Sequence, residues 1–481
     1  MAYTLTREQL LADLHQAYYD ARRHKRQKPY QQHFERHAEE NLEQLCNELW
    51  QRTYRPQPST CFIITDPKRR EVFAAQFRDR VVHHLYYNYV HEMLERTFIA
   101  DSYSCIKHRG THYGIARLER HIRRESQNYT VPCYVLKMDI SGYFMHIDRR
   151  LLLSITLRQL RRMVVRSPWC SQVDMNFVEW LTEVIILQDP TANCRRRGSL
   201  LDWQGLPHDK SLFHSPPGCG LPIGNLTSQL FSNVYLNELD QYAKRELHCR
   251  HYGRYVDDFY VVSADRDWLR GLIPSFGMFL CSELRLKVNS GKTRISNVRQ
   301  GVEFLGAYLK PRRRYVSTST RLRMDSKVKR LSGYSSSIRL RSTLNSFLGL
   351  LSHYRSYHQR ESLYYSMPFA LKHGYFQKGF RKYVLFPFSC FPRWGTHVLL
   401  GATFATRVPP IGIAPTLRWP QAGRGISAGR SACRPSRSRT CAGRPPLRPR
   451  NTAWSCRRSR RICCHRPSSW CTSMRCSQCG S

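Results

Sequence analysis

Tyr255-Val256-Asp257-Asp258 stands between two short runs rich in β-branched and aromatic residues, Tyr252–Val256 and Phe259–Val262. Such flanks read as the strands of a hairpin with the paired acids at its turn. Adjacent carboxylates repel, so the turn gains no stability from its charges. A divalent cation removes that objection, because Asp supplies the hard oxygen ligands that Mg2+ prefers. The hairpin thus constrains the fold twice: it needs a sheet to pair with, and that sheet must bring further oxygen ligands to the turn.

A second carboxylate closes an earlier strand, Tyr134–Met138, within Val135-Leu136-Lys137-Met138-Asp139-Ile140. Two metal ions about 4 Å apart need ligands from more than one chain segment. Asp139 with Asp257 and Asp258 supplies them once the fold brings the three together, and the Ile140 carbonyl adds another oxygen. Taken singly, each is equally well a turn-forming Asp.

The net charge of +42 points to a polyanionic partner, most simply nucleic acid. No stretch reaches the apolar length of a membrane span, and the first residues carry no signal-peptide pattern, which places the chain in the cytoplasm. Nine cysteines precede residue 282, mostly in apolar settings, and read as reduced core thiols. The other nine follow residue 389, in a segment of different character. From Ser362 onward there is no Asp or Glu, and after Lys382 there is no Lys, while seventeen Arg stand among Pro, Ser, Gly and Cys. Residues 383–481 thus read as a low-complexity tail unable to bury a core, disordered or produced by a shifted reading frame.

The first 382 residues carry ordered patterns. Helical periodicity runs through 5–52 on Leu10, Leu11, Leu14, Leu42, Leu45 and Leu49. Cys61–Thr65 reads as a strand, and Glu71–Leu94 as a helix with Phe73, Phe77, Val81 and Leu85 on one face. Further helices are expected over Leu151–Val165, Leu226–Leu247 and Leu340–Tyr357, the last of the chain. Residues 188–220 read as a long polar loop, and 265–310 as a helix followed by short strands.

Strand-Asp139 with Phe144 five residues on, followed by the Tyr-Val-Asp-Asp hairpin, resembles motifs A and C of reverse transcriptases. Gly220-Leu221-Pro222-Ile223-Gly224-Asn225-Leu226-Thr227-Ser228-Gln229 lies between them and resembles motif B. Leu286-Lys287-Val288-Asn289 with Lys292-Thr293 resembles motif D, and Glu303-Phe304-Leu305-Gly306 motif E. Pro67-Lys68-Arg69-Arg70-Glu71-Val72-Phe73 and Phe77-Arg78-Asp79-Arg80 resemble finger motifs. The ordered match implies an α+β right-hand polymerase fold: an N-terminal helical segment over 1–55, fingers and an antiparallel palm over 56–310, and a helical thumb over 311–382. Ile223-Gly224 and Ser228-Gln229 stand where many relatives carry Gln-Gly and Ser-Pro. That variant, with Phe347-Leu348-Gly349-Leu350-Leu351-Ser352-His353-Tyr354, is similar to reverse transcriptases of diversity-generating retroelements. A group II intron-like or defence-associated reverse transcriptase, or a non-catalytic RNA-binding palm protein, is the alternative.

The resemblance implies a bacterial or phage-encoded enzyme that copies a template RNA into cDNA with errors opposite adenines. It implies two Mg2+ ions, with Mn2+ as a substitute, held by Asp139, Asp257, Asp258 and the Ile140 carbonyl. Further partners are the primer, deoxynucleotides and a small basic accessory protein. Phe144 would lie under the incoming sugar and exclude a 2′-hydroxyl. Lys68 and Arg70 would grip the triphosphate, with Arg69 as an alternative. Lys292 would donate a proton to departing pyrophosphate. Ile223, Gly224 and Gln229 would line the nascent base pair. An apolar Ile in place of Gln offers packing without a hydrogen bond, which weakens discrimination between right and wrong pairs.

Overall fold

A four-stranded antiparallel sheet carries the acidic hairpin. Its order is His251–Tyr255, Asp258–Ser263, Tyr134–Met138, Arg294–Asn297. The computed structural model describes residues 3–23, 27–66, 68–166, 173–331, 337–377 and 379–386. The expectations for 383–481 fall almost wholly outside the described residues. Tyr134–Met138 forms over the expected span because its apolar side chains are enclosed on both faces: Val135, Leu136 and Met138 are buried. Arg266–Ser282 packs on one face and Thr111–Glu125 on the other, and the long helix Leu226–Arg245 runs through the core with apolar residues buried on every side, among them Leu230, Phe231, Val234, Leu236 and Leu239.

The N-terminal periodicity resolves into three helices, Arg7–Arg22, Pro29–Glu35 and Ala38–Trp50. Thr6 caps the first by accepting from the Gln9 amide. All the leucines named for this region are buried or packed against the same core as the long helix.

Two expectations are corrected. The segment read as one helix from Glu71 is a strand, Arg70–Ala74, followed by the helix Phe77–Glu95. Glu71 and Phe73 are buried while their neighbours are not, a period of two that the i, i+4 spacing of Phe73, Phe77 and Val81 conceals. The strand pairs antiparallel with Thr60–Ile64, and Asn225 ties off its end by accepting from the Ala75 amide. The helix expected to reach Tyr357 spans Ser337–Leu351. The Ser356 hydroxyl donates to the Leu351 carbonyl and closes it, and a further helix, Tyr357–Tyr365, and a hairpin of Gly374–Gln377 with Lys382–Leu385 follow.

The loop 188–220 is more ordered than its polarity suggests. Arg195–Arg196 adds a parallel strand to Thr60–Ile64. Buried Glu71 accepts from the Trp203 indole at 2.7 Å, the Leu212 amide at 2.6 Å and the Ser211 hydroxyl. One carboxylate thus fastens this segment to the strand pair. Among the described residues no helix is long and apolar enough to cross a membrane, and Cys46, Cys61, Cys133 and Cys249 are buried free thiols.

Candidate active site

The sheet register sets the site. Met138 pairs with Phe259, so the next step along both strands sets Asp139 beside Asp258, while Tyr255 opposite Asp258 closes the hairpin turn. Asp139 leaves the strand and is stitched to 287–292. The Asn289 amide donates to the Asp139 carbonyl at 2.8 Å, and the Ser141 amide donates to the Lys287 carbonyl. Ile140 lies between these bonds, so its own carbonyl is not used by this pairing.

The carboxylates sense one another. Burial, then the charges of Asp139 and Asp258, pushes the Asp257 carboxyl up to about 6. Burial also raises Asp258, against the pull of Lys137. Two ammonium groups offset part of the repulsion. Lys137 Nζ lies 3.3 Å from Asp258 Oδ1, and Lys292 Nζ lies 2.7 Å from Asp139 Oδ2, which also accepts from Asn289 Nδ2 at 3.1 Å. Burial works to lower the Lys292 ammonium, but the hydrogen bond and charge of Asp139 outweigh it and raise it. Among the described residues no cation stands within ion-pair distance of Asp257.

The donor set fits a divalent cation on its chemistry: three crowded carboxylates, all hard oxygen donors, and only two lysines for them. The contacts fall on one oxygen each of Asp139 and Asp258 and leave the second without a hydrogen bond among the described residues. Among the described residues the three aspartates do not form a ready-made metal group. Lys137 and Lys292 hold two of the three instead.

Phe144 and Ile223 meet on one apolar cluster with Phe73, Met145 and Leu212. The Leu221 amide donates to the Phe144 carbonyl at 2.8 Å, and the Phe73 amide to the Ile223 carbonyl at 2.9 Å. Residues 220–224 therefore bridge the Asp139 segment and the strand Arg70–Ala74. Gly224 has φ +130°, and a Cβ there would stand 2.9 Å from Val72 Cγ1 and 3.0 Å from the Phe73 oxygen. Its missing side chain permits this close approach to the protein's own strand. Gln229 is exposed on the first turn of Leu226–Arg245.

Lys68, Arg69 and Arg70 all lie exposed at the turn before Arg70–Ala74. Arg69 donates to the Gln204 carbonyl, so it is the one turned to the protein. No contact joins Lys68 or Arg70 to the aspartates among the described residues. Lys137 and Asn289 lie within the motifs around Asp139 and Lys292, but their residue types alone assign them no role. Lys137 could have been found, since residues two apart on a strand share a face and Lys137 is two before Asp139.

A family model described as reverse transcriptase (RNA-dependent DNA polymerase) matches residues 67–309, just over half of the chain. The chain belongs to the reverse transcriptase family. Its helices and antiparallel sheets form the right-hand polymerase fold, and its enzyme class is RNA-directed DNA polymerase. Protein YkfC of Escherichia coli strain K12 is 25% identical over 320 residues, which cover 57% of this chain and 72% of that one. Among solved structures, apo telomerase from Candida tropicalis truncated from its C-terminal domain matches with a TM-score of 0.39 at 13% identity, over 55% of this chain and 56% of that one. A second apo telomerase structure from Candida tropicalis matches with a TM-score of 0.39 at 12% identity, over 64% and 56%. The chain thus spans just over half the length of those telomerase chains.

Proposed function

We propose that this reverse transcriptase serves a diversity-generating retroelement, copying a template-repeat RNA into cDNA with frequent errors at adenines. The observation that carries the polymerase chemistry is the sheet register that sets Asp139 next to the Asp257-Asp258 turn. The mutagenic reading rests on Ile223, which presents an apolar side chain on the cluster shared with Phe144.

Asp139, Asp257, Asp258 and the Ile140 carbonyl would hold two Mg2+ or Mn2+ ions. Bound there, the ions supply a more acidic primer 3′-hydroxyl and charge neutralisation on the triphosphate. The protein's own groups do the rest. The primer hydroxyl gives up its proton to solvent, its oxygen attacks the α-phosphorus as the bond to pyrophosphate breaks, and Lys292, kept protonated by Asp139, hands its proton to the departing oxygen. Lys68 and Arg70 would orient the phosphates, and Phe144 would close the space next to the sugar C2′. Fingers and palm are assigned to 56–310 and the thumb to 311–382. Template RNA and primer would lie on the basic surface, aided by a small basic accessory protein.

Primer extension on an RNA template with Mg2+ tests the chemistry: wild type is expected to extend and Asp257→Ala to yield no product. A protein that binds RNA without extending would overturn the reading. Sequencing cDNA from Ile223→Gln enzyme tests the mutagenic part. Restoring a polar contact is expected to lower adenine errors roughly tenfold or more, from a discrimination gain on the order of 1–3 kcal/mol. An unchanged error spectrum removes Ile223 as their source.

A further inference from the structure

Arg254 has no exposed surface, although it carries a permanent charge three residues before Asp257. All five of its N–H donors are used. Nε and Nη2 grip both oxygens of Asp240 at 2.8 and 2.7 Å, and Asp240 is itself fully buried. Nη2 also donates to the Ser102 hydroxyl at 3.3 Å. Nη1 donates to Asn233 Oδ1 at 3.3 Å and to the Val256 carbonyl at 3.0 Å. The receiving groups are fixed in turn: Tyr252 donates to Asp240 at 2.7 Å, and the Asn233 amide nitrogen donates to the Ser104 carbonyl at 2.8 Å.

A buried ion pair seldom stabilises a fold more than an apolar pair of the same shape, so stability alone does not account for this one. Its one contact with the acidic turn suggests another use. Val256 has φ +55°, a left-handed conformation that a β-branched residue adopts only under constraint. Its carbonyl belongs to the peptide plane that leads into Asp257, and among the described residues Arg254 Nη1 is the group that donates to it.

We propose that Arg254, clamped by Asp240, is a positioning residue: it holds the Val256 peptide in its left-handed turn and thereby aims Asp257 at the site shared with Asp139. The inference rests on the reading of Asp257 as a metal-holding carboxylate. A guanidinium suits the task because its planar fork serves Asp240 and Val256 at once, whereas an ammonium cannot span both.

Arg254→Lys keeps a cation facing Asp240 and gives up the bond to Val256. The expected result is a kcat for primer extension about 100-fold lower, with KM for deoxynucleotide and affinity for template RNA within about threefold of wild type. Mn2+ binding without substrate, read from loss of the free-ion electron paramagnetic resonance signal, should weaken about tenfold. Glycine enters the left-handed region freely, so Val256→Gly added to Arg254→Lys should recover at least tenfold in kcat and restore part of the Mn2+ affinity. Should Arg254→Lys fail to fold, the same rescue is read in Asp240→Asn, which releases the clamp and leaves the guanidinium in place. Wild-type kcat and Mn2+ affinity in Arg254→Lys, or no rescue by Val256→Gly, would overturn the inference. Asp257→Ala separates the two levels: if it extends primers the underlying reading fails, and if it is dead while Arg254→Lys is normal only the positioning role fails.

Discussion

Gly253→Ala should cost much of this protein's stability, and the structure supplies the reason. Gly253 precedes Arg254 on His251–Tyr255, the outer strand of the acidic hairpin, where a Cβ would run into the Tyr103 hydroxyl and stand 2.6 Å from Tyr260 Oη and 2.7 Å from its Cζ. Neither ring has room to retreat. Both tyrosines are fully buried, and their hydroxyls form a chain: Tyr103 donates to Asp101 at 2.9 Å, Tyr103 and Tyr260 lie 2.8 Å apart, and Tyr260 meets His121 at 3.2 Å. Overpacking costs about 1–3 kcal/mol. Parting this chain leaves at least one buried polar group unsatisfied, at about 1–3 kcal/mol more. The expected loss is roughly 3–5 kcal/mol, a large share of a typical domain's ~5–15 kcal/mol. Equilibrium urea unfolding followed by tryptophan fluorescence measures it. Tyr260→Phe removes one of the clashing oxygens, so the double variant should be less destabilised than the sum of the singles by about 1 kcal/mol or more. A Gly253→Ala protein within about 0.5 kcal/mol of wild type, the scatter of a neutral surface change, would refute the packing argument. Strict additivity would refute the assigned clash with Tyr260.

Phe144→Ala should raise ribonucleotide incorporation relative to deoxynucleotide by roughly ten- to hundredfold; an unchanged ratio of kcat/KM values means the ring is not the wall that meets the 2′-hydroxyl. Lys292→Met should lower the single-turnover rate about 10–100-fold with template affinity unaffected, and a wild-type rate in rapid quench would remove it as the proton donor. Burial raises the Asp79 carboxyl from 3.8 to about 6, against the opposing hydrogen bonds from Tyr54 and Gln57. The folded protein then holds this proton more tightly than the unfolded chain, so the contribution is greatest below about pH 4 and is lost as pH rises through about 6. Asp79→Asn should flatten that part of the pH–stability profile, and a profile parallel to wild type would assign the slope to other groups.

The chain order alone carried the core of the site. Tyr134–Met138 is legible because a strand enclosed on both faces must be apolar throughout, and the acidic hairpin because its flanks are β-branched and aromatic. Residue type and position mark out Asp139, Asp257 and Asp258 independently of any strand register. What the sequence could not yield depends on distant partners. Arg70–Ala74 looked helical because its few apolar residues satisfy both periods, and only pairing with Thr60–Ile64 decides between them. Lys68, Arg69 and Arg70 are equivalent as letters; the Gln204 carbonyl, brought near by the folding of 188–220, distinguishes Arg69. Nothing in the local sequence marks Glu71 or Arg254 for burial, yet each is buried and bonded by groups far along the chain. A charge can be buried only where the completed fold delivers its partners, and that delivery is a property of three-dimensional closure which no local pattern records.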